Sequence, residues 1–490
     1  MRLTRTGGVK EGHDGQRRIA LAVVLAVAVV IAVTAKRVGQ DAARAGASAN
    51  PIQVENARPG TKHWRIRLVP QHALEGYASA VSVAPGQSLN LHVASASRLR
   101  YRVRVFRIGW YDGTGGRLMP CTTCRVHRAS PERVPRPDQK TGLLRLAWPV
   151  TDVIRVGSSW VSGYYLAELV VRSGPLAGRG SWVPFVVRAP RSRRSAILVQ
   201  AAVNTWQAYN TWGGRSLYWN NTGIGDDHVS FDRPFEMSGA PVEGGPGANL
   251  PSAWEFPLAR FLERNGYDVS YTTDVDTDRN PAELIRHRLV MTAGHDEYWT
   301  KTMRDAFEAA RAVGVNLAFM GANTGYWQMR YENGRRTIVE YRTADRDPET
   351  DPALKTISFR ELGRPECELL GVQWGEIGNA DYTAVGAGTG PPNPWFVGTG
   401  FTRSAVLRDL VGYEYDTLVT SCAQPGTTIL FEARPPNHVD ADAVRYTAPS
   451  GSVVFSSGSI RFATRLDDIT GRGDPRLQRF LRNALLTLLR

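Results

Sequence analysis

Apolar and polar positions alternate along several short runs between residues 63 and 188, with glycine or proline turns between the runs. Ser88-Leu-Asn-Leu-His-Val93 alternates strictly, and Arg100-Tyr-Arg-Val-Arg-Val105 does so with its arginines on the wet face. Residues 164–171 and 182–187 are further short apolar runs. Successive side chains of an extended chain point to opposite faces, so each run reads as a strand with one buried face. Several strands at this spacing predict an antiparallel β-sandwich of immunoglobulin or fibronectin type III kind over 63–188.

After a polar, proline-bearing joint at 188–195 the rhythm changes. Residues 196–201 form a continuous apolar run of the doubly covered sort. A helix is expected over 253–264, with Gly266 placed to end it, and a short strand over 269–272. Asn280-Pro281 starts a brief helix, 289–293 is a strand, 301–313 a helix stopped by Gly314, and 316–320 the next strand. Strand and helix in alternation predict a parallel sheet with right-handed crossovers. Beyond Tyr331 a hairpin turn is expected at 332–335, an acidic loop at 343–354, a Gly/Pro-rich excursion at 375–400, strands at 428–433 and 452–457, and a last helix over 475–490. Residues 195–490 therefore read as one α/β domain with insertions.

The amino terminus changes the picture of the compartment. Arg2, Arg5, Lys10, Arg17 and Arg18 precede an uninterrupted apolar stretch of 17 residues from Ile19 to Ala35. This predicts a basic cytoplasmic segment over 1–18, a transmembrane anchor or signal peptide over 19–35, and a flexible linker over 36–62. The expected location is the cell membrane, single-pass with the bulk outside, or secreted if the segment is cleaved after Val33-Thr34-Ala35. Lysine and arginine number 60 against 46 aspartates and glutamates, a net charge of +14. No zinc-finger spacing or RNP aromatic box accompanies that charge, so no nucleic-acid partner is expected, and the scattered arginines suit an anionic membrane or wall. Outside the cytoplasm the four cysteines are expected as disulfides, Cys121 with Cys124 and Cys367 with Cys422, chosen by proximity from three possible pairings.

Candidate chemistry concentrates at Gly294-His-Asp-Glu-Tyr-Trp299, just past the strand at 289–293. Ligands bind at the carboxyl ends of strands in open α/β sheets. Alternation puts His295 and Glu297 on one side and Asp296 on the other, so His295 and Glu297 can hold a metal or act as base and ligand. The same acids could equally complement the dipole of the helix that starts at Thr300. Two other strand ends add Asn204 to Trp219, with Tyr209 and Tyr218, and Gly321-Ala-Asn323. The structural alternative for the tyrosines is packing beside Trp206, Trp212 and Trp219. The chain has no G-x-S-x-G elbow, no cysteine in this domain before Cys367, and no dinucleotide or P-loop glycine motif, which leaves metal-assisted or acid/base chemistry.

Ala208-Tyr-Asn-Thr-Trp-Gly-Gly-Arg-Ser-Leu-Tyr218, Gly294-His-Asp-Glu-Tyr-Trp299 and Phe319-Met-Gly-Ala-Asn323 resemble the catalytic domain of the N,N-dimethylformamidase large (beta) subunit family over about 195–490. The resemblance implies a three-layer α/β domain like that of class I glutamine amidotransferases. It also implies a mononuclear iron held by two tyrosines and a glutamate. Carried over by motif, Tyr209, Tyr218 and Glu297 are the metal ligands, His295 the general base, and Asn323 the group that orients the substrate carbonyl. Phe235 stands where relatives can carry a tyrosine, which bears on whether iron binds.

The function expected is an exported, membrane-tethered, iron-dependent hydrolase of C–N or amide bonds. Its partners would be a small-molecule amide or cell-envelope component and a small subunit or second copy. The alternative is a catalytically inactive cell-envelope binding protein. A glycosidase reading of Glu297 needs a second carboxylate that the sequence does not identify.

Overall fold

The alternating runs of the first half pair into two sheets. In the computed structural model, which describes residues 49–220, 225–236, 254–388 and 393–490, one sheet has the order Glu75–Ala78, Ser88–Ala94, Asp152–Arg155. The other runs Ser82–Val83, Gly180–Val187, Gly163–Val171, Leu99–Ile108, Gly116–Leu118, with Val126–Ala129 also paired to Leu99–Ile108. All these pairs are antiparallel except Ser82–Val83 with Gly180–Val187. Leu89, Leu91, Val93, Val103, Val105 and Phe185 fill the space between the sheets.

The second half is built on a nine-stranded sheet in the order Val269–Thr273, Ile197–Ala201, Leu289–Gly294, Asn316–Gly321, Val453–Ser456, Ala441–Thr447, Thr428–Ala433, Ala380–Thr383, Val406–Val411. The first five strands are mutually parallel, and from Val453–Ser456 onward every pair is antiparallel. Registers such as Leu198 opposite Val290 and Gly294 opposite Gly321 align the carboxyl ends of the parallel strands at one edge. Residues at those ends therefore meet.

The sandwich is not held at arm's length from this sheet. Tyr164 packs edge-on against Phe256 and Tyr271, with centroids 5.4 and 5.2 Å apart. Arg107, from the sandwich, and Glu263, from the helix Phe256–Arg264, form an ion pair with both side chains fully buried. Residues 51–490 accordingly pack as one compact unit.

Three expectations are corrected. The described residues are predominantly β-sheet with few helices, not a three-layer α/β domain behind a membrane helix. Among the helices of the described residues only Phe256–Arg264, Lys301–Ala312 and Pro475–Leu488 exceed eight residues. The reason is that the sheet is completed by antiparallel hairpins from 380 to 456, which need no crossover helices. Second, the transmembrane segment expected over 19–35 lies outside the described residues, and among the described residues no helix is long and apolar enough to cross a membrane. The single-pass anchor and the cell-membrane location built on it are withdrawn. Third, within the stretch read as a linker, Pro51–Asn56 is helical, with Ile52 and Glu55 buried. Glu55 accepts from Arg117 and Tyr111 at 2.7 and 2.8 Å, contacts invisible in a local reading of composition.

Both disulfides form as paired above, Cys121 with Cys124 and Cys367 with Cys422.

Candidate active site

Two glycines create the crevice. Gly294 and Gly321 end adjacent parallel strands opposite one another, and a Cβ on Gly321 would lie 1.8 Å from the Gly294 carbonyl oxygen. Gly294 also takes a positive φ of 67°, the left-handed region open to glycine without penalty. The backbones can thus close up, and the residues that follow, His295 to Glu297 and Ala322 to Asn323, turn out together. Asn323 itself sits at φ 52°, and its amide N–H is held by Asp416 at 2.8 Å.

Within Gly294 to Trp299 the side chains separate as alternation requires. His295 Nε2 lies 3.1 Å from Glu297 Oε2, whereas Asp296 accepts from Gln200 and from the Trp299 indole at 2.8 and 2.9 Å. Neither acid caps the next helix. Thr300 does so, accepting from the Met303 N–H, so the dipole reading of these carboxylates has no contact to support it. The Glu297 backbone N–H donates to Thr205 Oγ1 at 3.0 Å, which fixes it to the loop that carries the tyrosines.

That loop leaves the strand Ile197–Ala201, forms the short helix Val203–Ala208 and presents Tyr209. The Tyr209 hydroxyl donates to Glu297 Oε2 at 2.9 Å and the Tyr218 hydroxyl to Oε1 at 2.5 Å. The two phenol rings lie 4.3 Å apart, and Tyr209 is 5.2 Å from the His295 ring. Tyr218 also receives the Tyr298 hydroxyl at 2.6 Å, and the Arg342 guanidinium lies over its ring at 4.6 Å. Burial, followed by the Glu297 charge, raises both phenols well above their usual range. Both are therefore protonated donors to Glu297.

His295 is bracketed. Its Nδ1 is 3.1 Å from the Tyr413 hydroxyl, and its Nε2 faces Glu297 and, at 3.7 Å, Glu414. Burial opposes its positive charge, but Glu414 and Glu297 outweigh burial and raise its pKa above the ordinary histidine value. Glu414 accepts from Asn323 Nδ2 at 2.6 Å and from the Trp374 indole at 3.0 Å. Among the described residues the buried Asn323 Oδ1 has no hydrogen-bond partner.

All five residues singled out from the sequence, Tyr209, Tyr218, His295, Glu297 and Asn323, meet at one edge of the sheet. Glu414, Tyr413 and Trp374 were missed. They come from the strands Glu414–Thr417 and Gln373–Ile377 and the turn before the first of these, at positions outside the elements expected from the sequence. The alternating run Val411-Gly-Tyr-Glu-Tyr-Asp416 marks a strand, but nothing local ties it to His295. Phe235 lines a small cavity with Gln71, His72 and Trp212, and no ring contact or hydrogen bond among the described residues joins it to Glu297.

A metal held here would need the phenols. Among the described residues no group of three or more His, Cys, Asp or Glu side chains is placed to hold an ion. Three oxygen donors nevertheless converge, and the two phenolic protons directed at Glu297 occupy positions that a cation could take. The donor set fits a hard, strongly acidic ion able to displace those protons.

A sandwich buttresses a mixed sheet that gathers phenols, imidazole, amide and carboxylates at its parallel edge. The N,N-dimethylformamidase beta subunit-like, C-terminal family matches residues 102–475, and the chain belongs to that family. The match begins inside the sandwich strand Leu99–Ile108, well before residue 195, where the sequence motifs placed its start. The chain is 26% identical over 196 residues to the N,N-dimethylformamidase beta subunit of Paracoccus aminophilus, covering 33% of this chain and 26% of that protein. It is 32% identical over 96 residues to the corresponding subunit of Alcaligenes sp, covering 19% and 13%. The aligned parts thus span about a quarter or less of these relatives. Among solved structures, the mmIFT52 N-terminal domain aligns with 13% identity and a TM-score of 0.26 over 46% of this chain and 86% of that domain, a likeness too slight to carry an argument.

Proposed function

We propose that the chain is a hydrolase of amide C–N bonds in small molecules, dependent on iron held by Tyr209, Tyr218 and Glu297. The observation that carries this reading is the donation of two phenols to opposite oxygens of one buried carboxylate, with an imidazole 3.1 Å away. Phenols raised this far release their protons near neutral pH only to a strong Lewis acid, which ferric iron is. Bound there, the ion supplies Lewis acidity toward an amide carbonyl and toward water.

The remaining chemistry belongs to the chain. His295 is the residue that takes a proton leaving water: Glu297 and Glu414 beside Nε2 favour its charged form, so it serves as base through its neutral fraction, which grows as pH rises. Glu414 holds Asn323 and Trp374 in place, so Asn323 presents Oδ1 rather than Nδ2 to a bound amide. The low exposure of Glu297, His295 and Asn323, each at or below 5%, excludes bulk water from the reacting group.

The relatives are named as beta subunits, and we extend to this chain a second subunit or copy as partner. The binding-only alternative is motivated by Phe235 and the β-sandwich; Phe235 borders a cavity that Tyr209, Tyr218 and Glu297 do not line, so it gives that alternative no support at the donor set. The deciding experiment is metal analysis of the purified chain beside hydrolysis of formamide and its N-methyl derivatives by the wild type and Glu297→Ala. Stoichiometric iron and turnover, both lost in the variant, are expected. Hydrolysis unaffected by Glu297→Ala, or an iron-free chain without activity, would reject the reading.

A further inference from the structure

The loop between the two phenols has no regular structure of its own beyond a short 3-10 turn at Trp212–Gly214, yet it must hold two side chains to the opposite oxygens of one carboxylate. Its backbone carbonyls supply the answer. Arg233, 1% exposed, points Nη1 at the carbonyls of Trp212 and Arg215, at 3.1 and 2.7 Å. Its Nη2 reaches those of Gln207 and Asn210, at 3.3 and 2.9 Å. Four carbonyls between residues 207 and 215 therefore converge on one guanidinium.

We infer that Arg233 is the positioning residue that sets the reach of Tyr209 and Tyr218 toward Glu297, by gathering the backbone of the segment between them. The inference rests on the proposed role of those phenols. Its neighbours reinforce the grip. Asn210 Nδ2 donates to the Pro234 carbonyl at 2.8 Å, and Asn210 Oδ1 accepts the Glu236 N–H at 2.8 Å, while Gln207 donates to the Ser230 carbonyl. Residues 230–236 thus form a cradle for the catalytic loop, with Arg233 at its centre.

Among the described residues no carboxylate pairs with Arg233: Asp226, which acts on it electrostatically, is engaged with Arg215 at 2.9 Å. Burial accordingly lowers the Arg233 pKa to about 9. The five N–H donors of guanidinium, spread in a fixed plane, explain why this side chain is used. A lysine carries three donors at a single point and cannot span four carbonyls.

The test uses the full chain with Arg233→Lys, and Arg233→Met beside it, which removes the buried charge should the lysine variant not fold. Amide hydrogen exchange is followed peptide by peptide, and iron retained after dialysis is measured on the same samples. Expected is an exchange rate in residues 207–217 raised by about tenfold or more, with the central strands Leu289–Gly294 and Asn316–Gly321 unchanged, and iron retention reduced by a similar factor. Wild-type exchange in that segment, or a uniform rise across the molecule, overturns the positioning role. If the loop loosens but the wild type itself retains no iron, the metal reading fails and the positioning of the phenols stands.

Discussion

The Tyr218 hydroxyl donates to Glu297 Oε1 at 2.5 Å, with its ring held between Tyr209 and the Arg342 guanidinium. Tyr218→Phe keeps the ring and removes only the donor. It should leave Glu297 Oε1 and the Tyr298 hydroxyl short of a partner, at a cost of about 1–3 kcal/mol. If iron is held as proposed, its retention should fall at least about tenfold, the scale on which removing even a hydrogen-bond partner of a metal ligand acts. Tyr298→Phe, which keeps the Tyr218–Glu297 contact, should lose much less. Metal content after dialysis and urea unfolding check both, and Tyr218→Phe protein that retains wild-type iron would remove Tyr218 from the donor set.

Glu255 gives a pH dependence distinct from the site. It is buried at the start of the helix Phe256–Arg264, accepting from Tyr164 at 2.6 Å and from the Trp206 indole at 2.5 Å. Burial raises its pKa from 4.5 to about 8 against the lowering by those two donors. The folded state thus keeps a proton that the unfolded chain sheds above about pH 4.5. The contribution is complete below that pH and is lost as pH rises through about 8, amounting at most to a few kcal/mol at about 1.4 kcal/mol per unit. Glu255→Gln should flatten this part of the profile. Urea unfolding at about pH 5, 6.5 and 8 measures it, and parallel profiles for the wild type and Glu255→Gln would show that Glu255 does not titrate in this window.

Much of the parallel half of the sheet was legible because its elements are local. The strand and helix at Leu289–Gly294 and Lys301–Ala312 carry their own periodicity, turn glycines and the Thr300 cap. Tyr209, Tyr218, His295, Glu297 and Asn323 were legible from motif and from the rule that loops follow strand ends. What escaped depends on distant partners. Ala441–Thr447 and Val406–Val411 take their place only by pairing across the sheet. Glu414 reaches His295 from a strand far along the chain, and Arg233 acts through carbonyl oxygens, which no side-chain pattern records. The short helix Pro51–Asn56 was read as linker because its six residues carry a weak local signal, while its burial comes from Arg117 and Tyr111.

The two disulfides should differ sharply in value. Cys367 and Cys422 are 55 residues apart and Cys121 and Cys124 only 3. If the bond acts by restricting the unfolded chain, the longer loop contributes roughly 4 kcal/mol and the shorter well under half of that. Cys367→Ser with Cys422→Ser should lower the unfolding midpoint by several degrees more than the corresponding pair at 121 and 124. Calorimetry of the two double variants decides it, and equal shifts would contradict the loop-entropy account.

Arg107 and Glu263 join the sandwich to the sheet through two contacts, 2.7 and 2.9 Å, with neither side chain exposed. Glu263 also accepts from Asn56 and Tyr271 at 2.8 and 3.0 Å. Arg107→Met strands the carboxylate and should cost about 3–5 kcal/mol. Adding Glu263→Gln removes the stranded charge and should recover a large part of the loss, so the two substitutions will be strongly non-additive. Denaturant unfolding of both single variants and the pair gives the coupling. Simple additivity would mean that the two residues act independently.

Under the proposed amide hydrolysis, Asn323 bears on which amides are preferred. Glu414, holding the Trp374 indole N–H on the same oxygen, requires a donor at 2.6 Å, which assigns Nδ2 to that side and leaves Oδ1 as an acceptor without a partner among the described residues. An amide with an N–H can pair it, whereas an N,N-dialkyl amide leaves it bare, and leaving a buried acceptor bare costs about 1–3 kcal/mol. N-methylformamide should therefore have a kcat/KM at least about tenfold above that of N,N-dimethylformamide. Asn323→Ala should shrink the ratio by lowering the N-methyl value more than the N,N-dimethyl value. Equal values for the two amides in the wild type would show that Oδ1 takes no part in recognition, whatever the fate of the iron.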